Sequence, residues 1–228
     1  MYRHVLRSST TNCVFVQGDH PYTVVSDMVF RKWPPRFAAP PHPLWGRRFP
    51  GGRLARMMRF IMSSEILIRL ATSDDLPALG RLGSMLVRLH HGFDPARFMS
   101  PARDSAEGYT WFLGTQLDQA DAVVLVAEHD GKVIGYAYAG LEPMSWKELR
   151  GPAGFIHDVV VEESAQDQGI GTGLLQAAAE WLEEHGAPRV MLWSAEANPN
   201  AQRLFERLGF RRTMIEMTRE PTAKTPRN

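Results

Sequence analysis

Cysteine is all but missing from this chain of 228 residues, where Cys13 stands alone. That excludes an intramolecular disulfide and any cysteine-rich zinc site, so no metal is expected, and it fits a reducing, cytoplasmic location. No apolar run approaches the roughly 18 residues a membrane helix needs, so no membrane partner is expected either. Acidic residues are scarce at the start: residues 1–62 hold ten Lys and Arg against two Asp and Glu, a formal +8, whereas residues 63–228 hold sixteen against twenty-three, a formal −7. Lysine is absent between Lys147 and Lys224, which removes a nucleoside-triphosphate loop of the Gly-Lys-Ser/Thr kind from the downstream half.

The basic first segment has no sustained periodicity. Pro34, Pro35, Pro40, Pro41, Pro43 and Pro50 break any helix there. Its Arg-rich, Ser/Thr-containing composition suggests a transit peptide, but the prolines argue against one long amphipathic helix. Residues 1–62 are expected to be a poorly ordered, dispensable extension or a mis-set start, with Met62 as the functional beginning. Nucleic acid is not expected as a partner, although a basic arm leaves that to a salt-dependence test.

From Ser64 the pattern becomes regular. Ile66, Ile68 and Leu70 alternate as a strand; Thr72-Ser73-Asp74-Asp75 supplies caps for a helix bearing Leu76, Leu79, Leu82, Leu86 and Leu89. A second helix is expected from Ser100-Pro101, and Val123–Ala127, an Asp130-Gly131 turn and Lys132–Leu141 read as a hairpin. Phe155–Val161 is a buried strand, a helix covers residues 172–185, and Arg189–Trp193 is a further strand. Asn198-Pro199 opens a helix with Ala201, Leu204, Phe205 and Leu208 on one face. Thr213, Ile215 and Met217 alternate as a last strand, and residues 221–228 are expected to fray. Helices between strands favour parallel pairing and the hairpin favours antiparallel, so one mixed α/β domain over residues 63–220 is expected.

The stretch Phe155–Gly173 organises this domain: a strand, the turn Gln166-Asp167-Gln168-Gly169-Ile170-Gly171-Thr172-Gly173, then a helix on which Leu174, Ala178 and Leu182 recur. Glycines at a helix start let a ligand approach the backbone, and the free N–H groups favour a phosphate or pyrophosphate. A dinucleotide fingerprint fails because Leu174 stands where the third glycine belongs. Gln166, Gly169 and Gly171 match the pattern Gln/Arg-x-x-Gly-x-Gly/Ala after a strand of the form Asp-Val-Val-Val. Downstream, Asn198-x-x-Ala201-x-x-Leu204-Phe205-x-x-x-Gly209-Phe210 matches a second pattern in order. Together these resemble the GNAT superfamily of N-acetyltransferases across most of residues 64–220.

The resemblance implies a single α/β domain with a mixed, mostly antiparallel central sheet, a splayed parallel pair of strands and about four flanking helices. It implies transfer of an acetyl group from acetyl-CoA, as cosubstrate, to a primary amine of a small molecule or protein by direct attack in a ternary complex. The rival is a catalytically silent acyl-CoA-binding sensor; homodimers are common in the family. By resemblance, backbone of Val159 and Val161 pairs with the pantetheine arm, and Gln166, Gln168, Gly169, Ile170, Gly171, Thr172 and Gly173 hold the pyrophosphate. Asn198 and Phe205 lie near the CoA arm. The amide of Val160, in a bulged strand, is the expected oxyanion donor. His157 falls where relatives often carry a base glutamate, with Asp158 beside it; Glu128, Glu142 and Glu196 are fallback carboxylates. Phe205 stands where many relatives place a tyrosine that protonates the leaving thiolate; Tyr136 and Tyr138 are alternative donors. Substrate recognition is expected in residues 90–101 and 144–152, with His91, Phe93, Asp94, Trp146 and also Glu142 as candidates.

Overall fold

The computed structural model describes residues 66–221 together with the backbone of Phe60–Ile61. The expectations for Cys13, the proline cluster, the start at Met62 and the tail beyond residue 221 lie outside the described residues. Among these, six strands form one sheet in chain order: β1 (Phe60–Ile61), β2 (Ile66–Leu70), β3 (Ala122–His129), β4 (Lys132–Glu142), β5 (Ala153–Val161) and β6 (Val190–Leu192). Every neighbouring pair is antiparallel except β5 and β6, which run parallel. The sheet therefore starts upstream of the boundary expected at residue 63, since Phe60 and Ile61 pair with Ile68 and Leu67.

Among the described residues, four α-helices cover the two faces: α1 (Leu76–Phe93), α2 (Ser105–Gln116), α3 (Ile170–Glu184) and α4 (Pro199–Arg207). The alternation of β3 and β4, shifted once by a bulge at Ile134 opposite Ala127 and Glu128, divides the core. Val123, Leu125, Ala127, Ile134, Ala137 and Ala139 pack with Ile170, Leu174, Leu175 and Leu182 of α3. Val124, Val126, Val133 and Tyr136 point the other way, onto Leu79, Leu82 and Leu86 of α1 and Leu113 of α2. Burying one such leucine contributes roughly 1.5–3 kcal/mol, so each helix is fixed chiefly by its apolar face. At Gly83 an added Cβ would sit 2.1 Å from the Tyr109 ring, so α2 lies close enough to α1 for that ring to rest on its backbone.

Asp130 and Gly131 have φ of 49° and 74°, the two positive values of a type I′ hairpin turn between β3 and β4. The α2 helix begins at Ser105 rather than at Ser100-Pro101, because Ser105 closes a local turn instead: Ala102 N–H donates to Ser105 Oγ at 2.9 Å, and the hydroxyl donates back to Ala102 C=O. The expected last strand does not form. Residues 211–221 are irregular, and Met214, Ile215 and Met217 are 81%, 83% and 90% exposed. Met214 breaks the alternation of Ile215 and Met217, so neither face of the segment is marked for burial and no register is specified. Glu216 turns to Arg97 on the α1–α2 connection instead.

Candidate active site

The β4–β5 register slips once. Tyr138 faces Asp158 and Ala139 faces Ile156, which leaves His157 as an extra residue in a β-bulge. In an unbroken strand His157 and Asp158 would point to opposite faces. Here the face of α1 and α2 receives Phe155, His157, Asp158 and Val160, while Ile156, Val159 and Val161 pack on the α3 side. The bulge thus presents two ionisable side chains to one cleft. It lies just beyond the point where β5 loses its partner: the parallel ladder covers only Gly154, Phe155 and Ile156 against Val190, Met191 and Leu192, and the two strands then part.

The His157 ring is stacked between Tyr138 and Phe155, with centroids 4.9 and 5.0 Å away. Its Nε2 is 3.5 Å from Oε1 of Glu142, within ion-pair range. Burial pushes the imidazole below its ordinary value, with Glu142 opposing that shift, so the ring is neutral at pH 7 and carries a lone pair. Asp158 accepts a hydrogen bond from the Tyr136 hydroxyl at 3.0 Å. Burial raises its carboxyl above its ordinary value, against the Tyr136 bond and the nearby His90. Burial, reinforced by Asp158, likewise raises the phenols of Tyr136 and Tyr109, which stay protonated.

Backbone register changes one expectation. Glu162 N–H donates to Ile134 C=O at 2.8 Å, and alternation from that pair directs the N–H and C=O of Val160 and Asp158 toward β4. The amide of Val160 is therefore committed to the sheet and is not an oxyanion donor. The amides of Val159 and Val161 face the open edge instead, as expected for a strand that pairs with a ligand arm. The α3 helix starts at the mouth of the same opening. Asp167 (φ 61°) and Gly169 (φ 80°) turn the chain in left-handed conformations, and the first intrahelical bond runs from Gly173 N–H to Gly169 C=O at 3.0 Å. The amides of Ile170, Gly171 and Thr172 precede that ladder. A Cβ on Gly171 would meet only Leu204 and Val161, both at 3.9 Å, so room remains over the first turn. Ile170 and Gly173 are buried, so they offer backbone only; Gln168 and Thr172 remain at the surface, and Gln166 reaches Val161 C=O at 3.4 Å. These groups suit an extended thioester carrier with an anionic pyrophosphate. Asn198 is the N-cap of α4, accepting from Ala201 N–H at 3.1 Å, and Phe205 packs edge-on to Phe210.

On the other side of the bulge lies a cleft of about 550 Å³ between the end of α1, the α1–α2 connection, β5, the β6–α4 connection and the C-terminal segment. Of the residues expected to meet a substrate, Phe93 and Asp94 line it. His91 does not; its Nδ1 contacts Phe98 C=O and braces the connection. Trp146, 78% exposed, sits on the β4–β5 loop away from the lining, and Glu142 acts on His157 rather than on the cleft. Among the fallback carboxylates Glu128 is engaged by Arg69, whereas Glu196 lines the cleft. Tyr138 donates to Gln116 and is not aimed at the cleft. His90, the first residue of the expected segment 90–101, also lines the cleft, whereas sequence reasoning missed Tyr109, Trp193 and Glu216. His90 follows from the 3.6-residue spacing past Leu86, but Glu216 comes from a segment whose alternation suggested a strand.

The model of the acetyltransferase (GNAT) family matches residues 85–210, more than half of the chain. The chain belongs to the GNAT acetyltransferase family. A mycothiol acetyltransferase of Thermomonospora curvata is 35% identical over 96 residues, 42% of this chain and 30% of that protein. An uncharacterized N-acetyltransferase of Methanocaldococcus jannaschii is 28% identical over 156 residues, 68% of this chain and 65% of that one. The chain thus spans less than two thirds of the length of either relative. A crystal structure of an aminoglycoside N-acetyltransferase in complex with CoA superposes with a TM-score of 0.55 at 18% identity, covering 71% of this chain and 98% of that one. This similarity establishes that the GNAT fold is shared. No helix among the described residues is long and apolar enough to cross a membrane.

Proposed function

We propose that this GNAT protein transfers an acetyl group from acetyl-CoA to a primary amine of a small molecule or protein, by direct attack in a ternary complex. The observation that carries the reading is the bulge at His157, which sets a neutral imidazole and a carboxylate side by side where β5 and β6 part. The amine enters from the cleft. His157 takes its proton, and the freed nitrogen attacks the thioester carbonyl; a C–N bond forms, the C–S bond breaks and the sulfur leaves as thiolate, while the nitrogen gives its second proton to water. Asp158 attracts the incoming ammonium, helped by Asp94 and Glu196 at the cleft wall. The amide of Val159, free of β4, replaces Val160 as the oxyanion donor. Val161 pairs with the pantetheine arm, the amides of Gly169 to Gly173 hold the pyrophosphate with Gln166, Gln168 and Thr172 around them, and Asn198 and Phe205 line the arm.

Phe205 cannot donate a proton, so the thiolate leaves unassisted by that position. A thiol with a pKa of about 8.5 is a fair leaving group without full protonation. Tyr109 lines the cleft as a protonated phenol and is a candidate donor there. The same reading places the protein in the cytoplasm, where its single cysteine stays a thiol, and admits a homodimer. Titration calorimetry with acetyl-CoA, followed by initial rates with both substrates varied, tests it. One-to-one binding and intersecting double-reciprocal lines are expected; parallel lines, the pattern of a covalent acyl-enzyme, contradict direct attack.

A further inference from the structure

The β4–β5 loop is locked by one buried cation. The Arg150 side chain is only 8% exposed; its Nη2 binds Oε2 of Glu142, and its Nε binds Oε2 of Glu148 at 2.7 Å. Nη1 also donates to the carbonyls of Gly151 at 3.2 Å and Pro143 at 3.4 Å. Ser145 and Arg150 exchange backbone hydrogen bonds of 2.8 and 3.0 Å, so the loop closes on itself around that guanidinium. With Oε2 of Glu142 held by Arg150, Oε1 is the atom left toward Nε2 of His157, 3.5 Å away. A chain of fixed groups thus runs from Glu148 through Arg150 and Glu142 to the imidazole at the bulge.

We propose that Glu142 and Arg150 are positioning residues for His157: the carboxylate holds the proton on Nε2, so that Nδ1 presents the lone pair, and Arg150 fixes and partly neutralises that carboxylate. This rests on the reading of His157 as the base. The logic is that of a base oriented by a third group, here with a cation setting how strongly the third group acts. The tautomer of an imidazole follows from the bond its other nitrogen makes. The remaining ionisable groups facing the ring are Tyr138, stacked on it from β4, and Asp158, next to it on β5; neither contacts Nε2 among the bonds described. The ring therefore answers to Glu142.

Two substitutions move the imidazole in opposite directions, which a purely structural loop would not do. Glu142→Gln keeps the shape and removes the charge, so the His157 ring pKa falls; Arg150→Met leaves Glu142 unneutralised, so it rises. Shifts of about half a pH unit or more are expected by NMR titration of the ring, assigned by its loss in His157→Ala, with kcat at saturating amine falling about tenfold in Glu142→Gln. Arg150→Lys, which keeps the charge, should restore the ring pKa most of the way. Ring pKa values unchanged in both Glu142→Gln and Arg150→Met overturn the proposal, as do shifts of the same sign in both. A His157→Ala enzyme with wild-type kcat overturns instead the functional reading beneath it.

Discussion

Asp158 is held where its ionised form is disfavoured, and the Tyr136 hydroxyl bond only partly offsets that burial. A carboxyl whose folded pKa is raised binds its proton more tightly in the folded state. It therefore lowers stability as pH rises through the unfolded value toward the folded one, and the deficit persists at neutral pH. Asp158→Asn removes the charge and keeps an acceptor for Tyr136. The variant should melt roughly 2–4 °C higher than wild type at pH 7, with the gain fading as pH falls toward 4, while amine turnover drops. A lower melting temperature at pH 7 would mean that the carboxylate is structurally required. Residue identities pointed to His157 and Asp158 in the sequence, but their sharing of one cleft did not show. A bulge lives in the hydrogen-bond register between two strands, and side-chain alternation in one strand predicts the opposite.

At the level of elements, the start of α3 separates two roles for glycine. Gly169 sits at φ 80°, where any side chain costs about 1–2 kcal/mol. Gly171 has ordinary helical geometry and space for a methyl group, so its substitution is free of folding cost. Gly171→Ala should fold at wild-type stability or up to about 1 kcal/mol above it, yet weaken acetyl-CoA about tenfold by filling the space over the exposed amides. Unchanged acetyl-CoA affinity by calorimetry would remove that turn from the carrier site. The strand, turn and helix of Phe155–Gly173 were legible because glycine and apolar period are both local signals. The Val160 amide was assigned wrongly since backbone direction depends on which residue of β4 it faces. The segment 213–217 misled because alternation alone does not supply a buried face.

For the molecule as a whole, the strands and helices between Ile66 and Arg207 were legible as period-2 and period-3.6 patterns, while the mostly antiparallel sheet with one parallel pair was implied by the resemblance to the GNAT superfamily. The cleft did not follow, because it gathers α1, β5, the β6–α4 connection and the C-terminal segment across long sequence separations. Its lining carries Asp94, Asp158, Glu196 and Glu216 against Arg97, which Glu216 already engages, so the cleft attracts cations. That charge pattern and the neutral imidazole both support the proposed amine acceptor. The deciding measurement is release of CoA thiol from acetyl-CoA over a panel of amines, with wild type and His157→Ala side by side. Amine-dependent release by wild type, reduced about 100-fold or more in His157→Ala, is the predicted result. Acetyl-CoA binding with no release on any amine would contradict it and mark the protein as a sensor of the thioester.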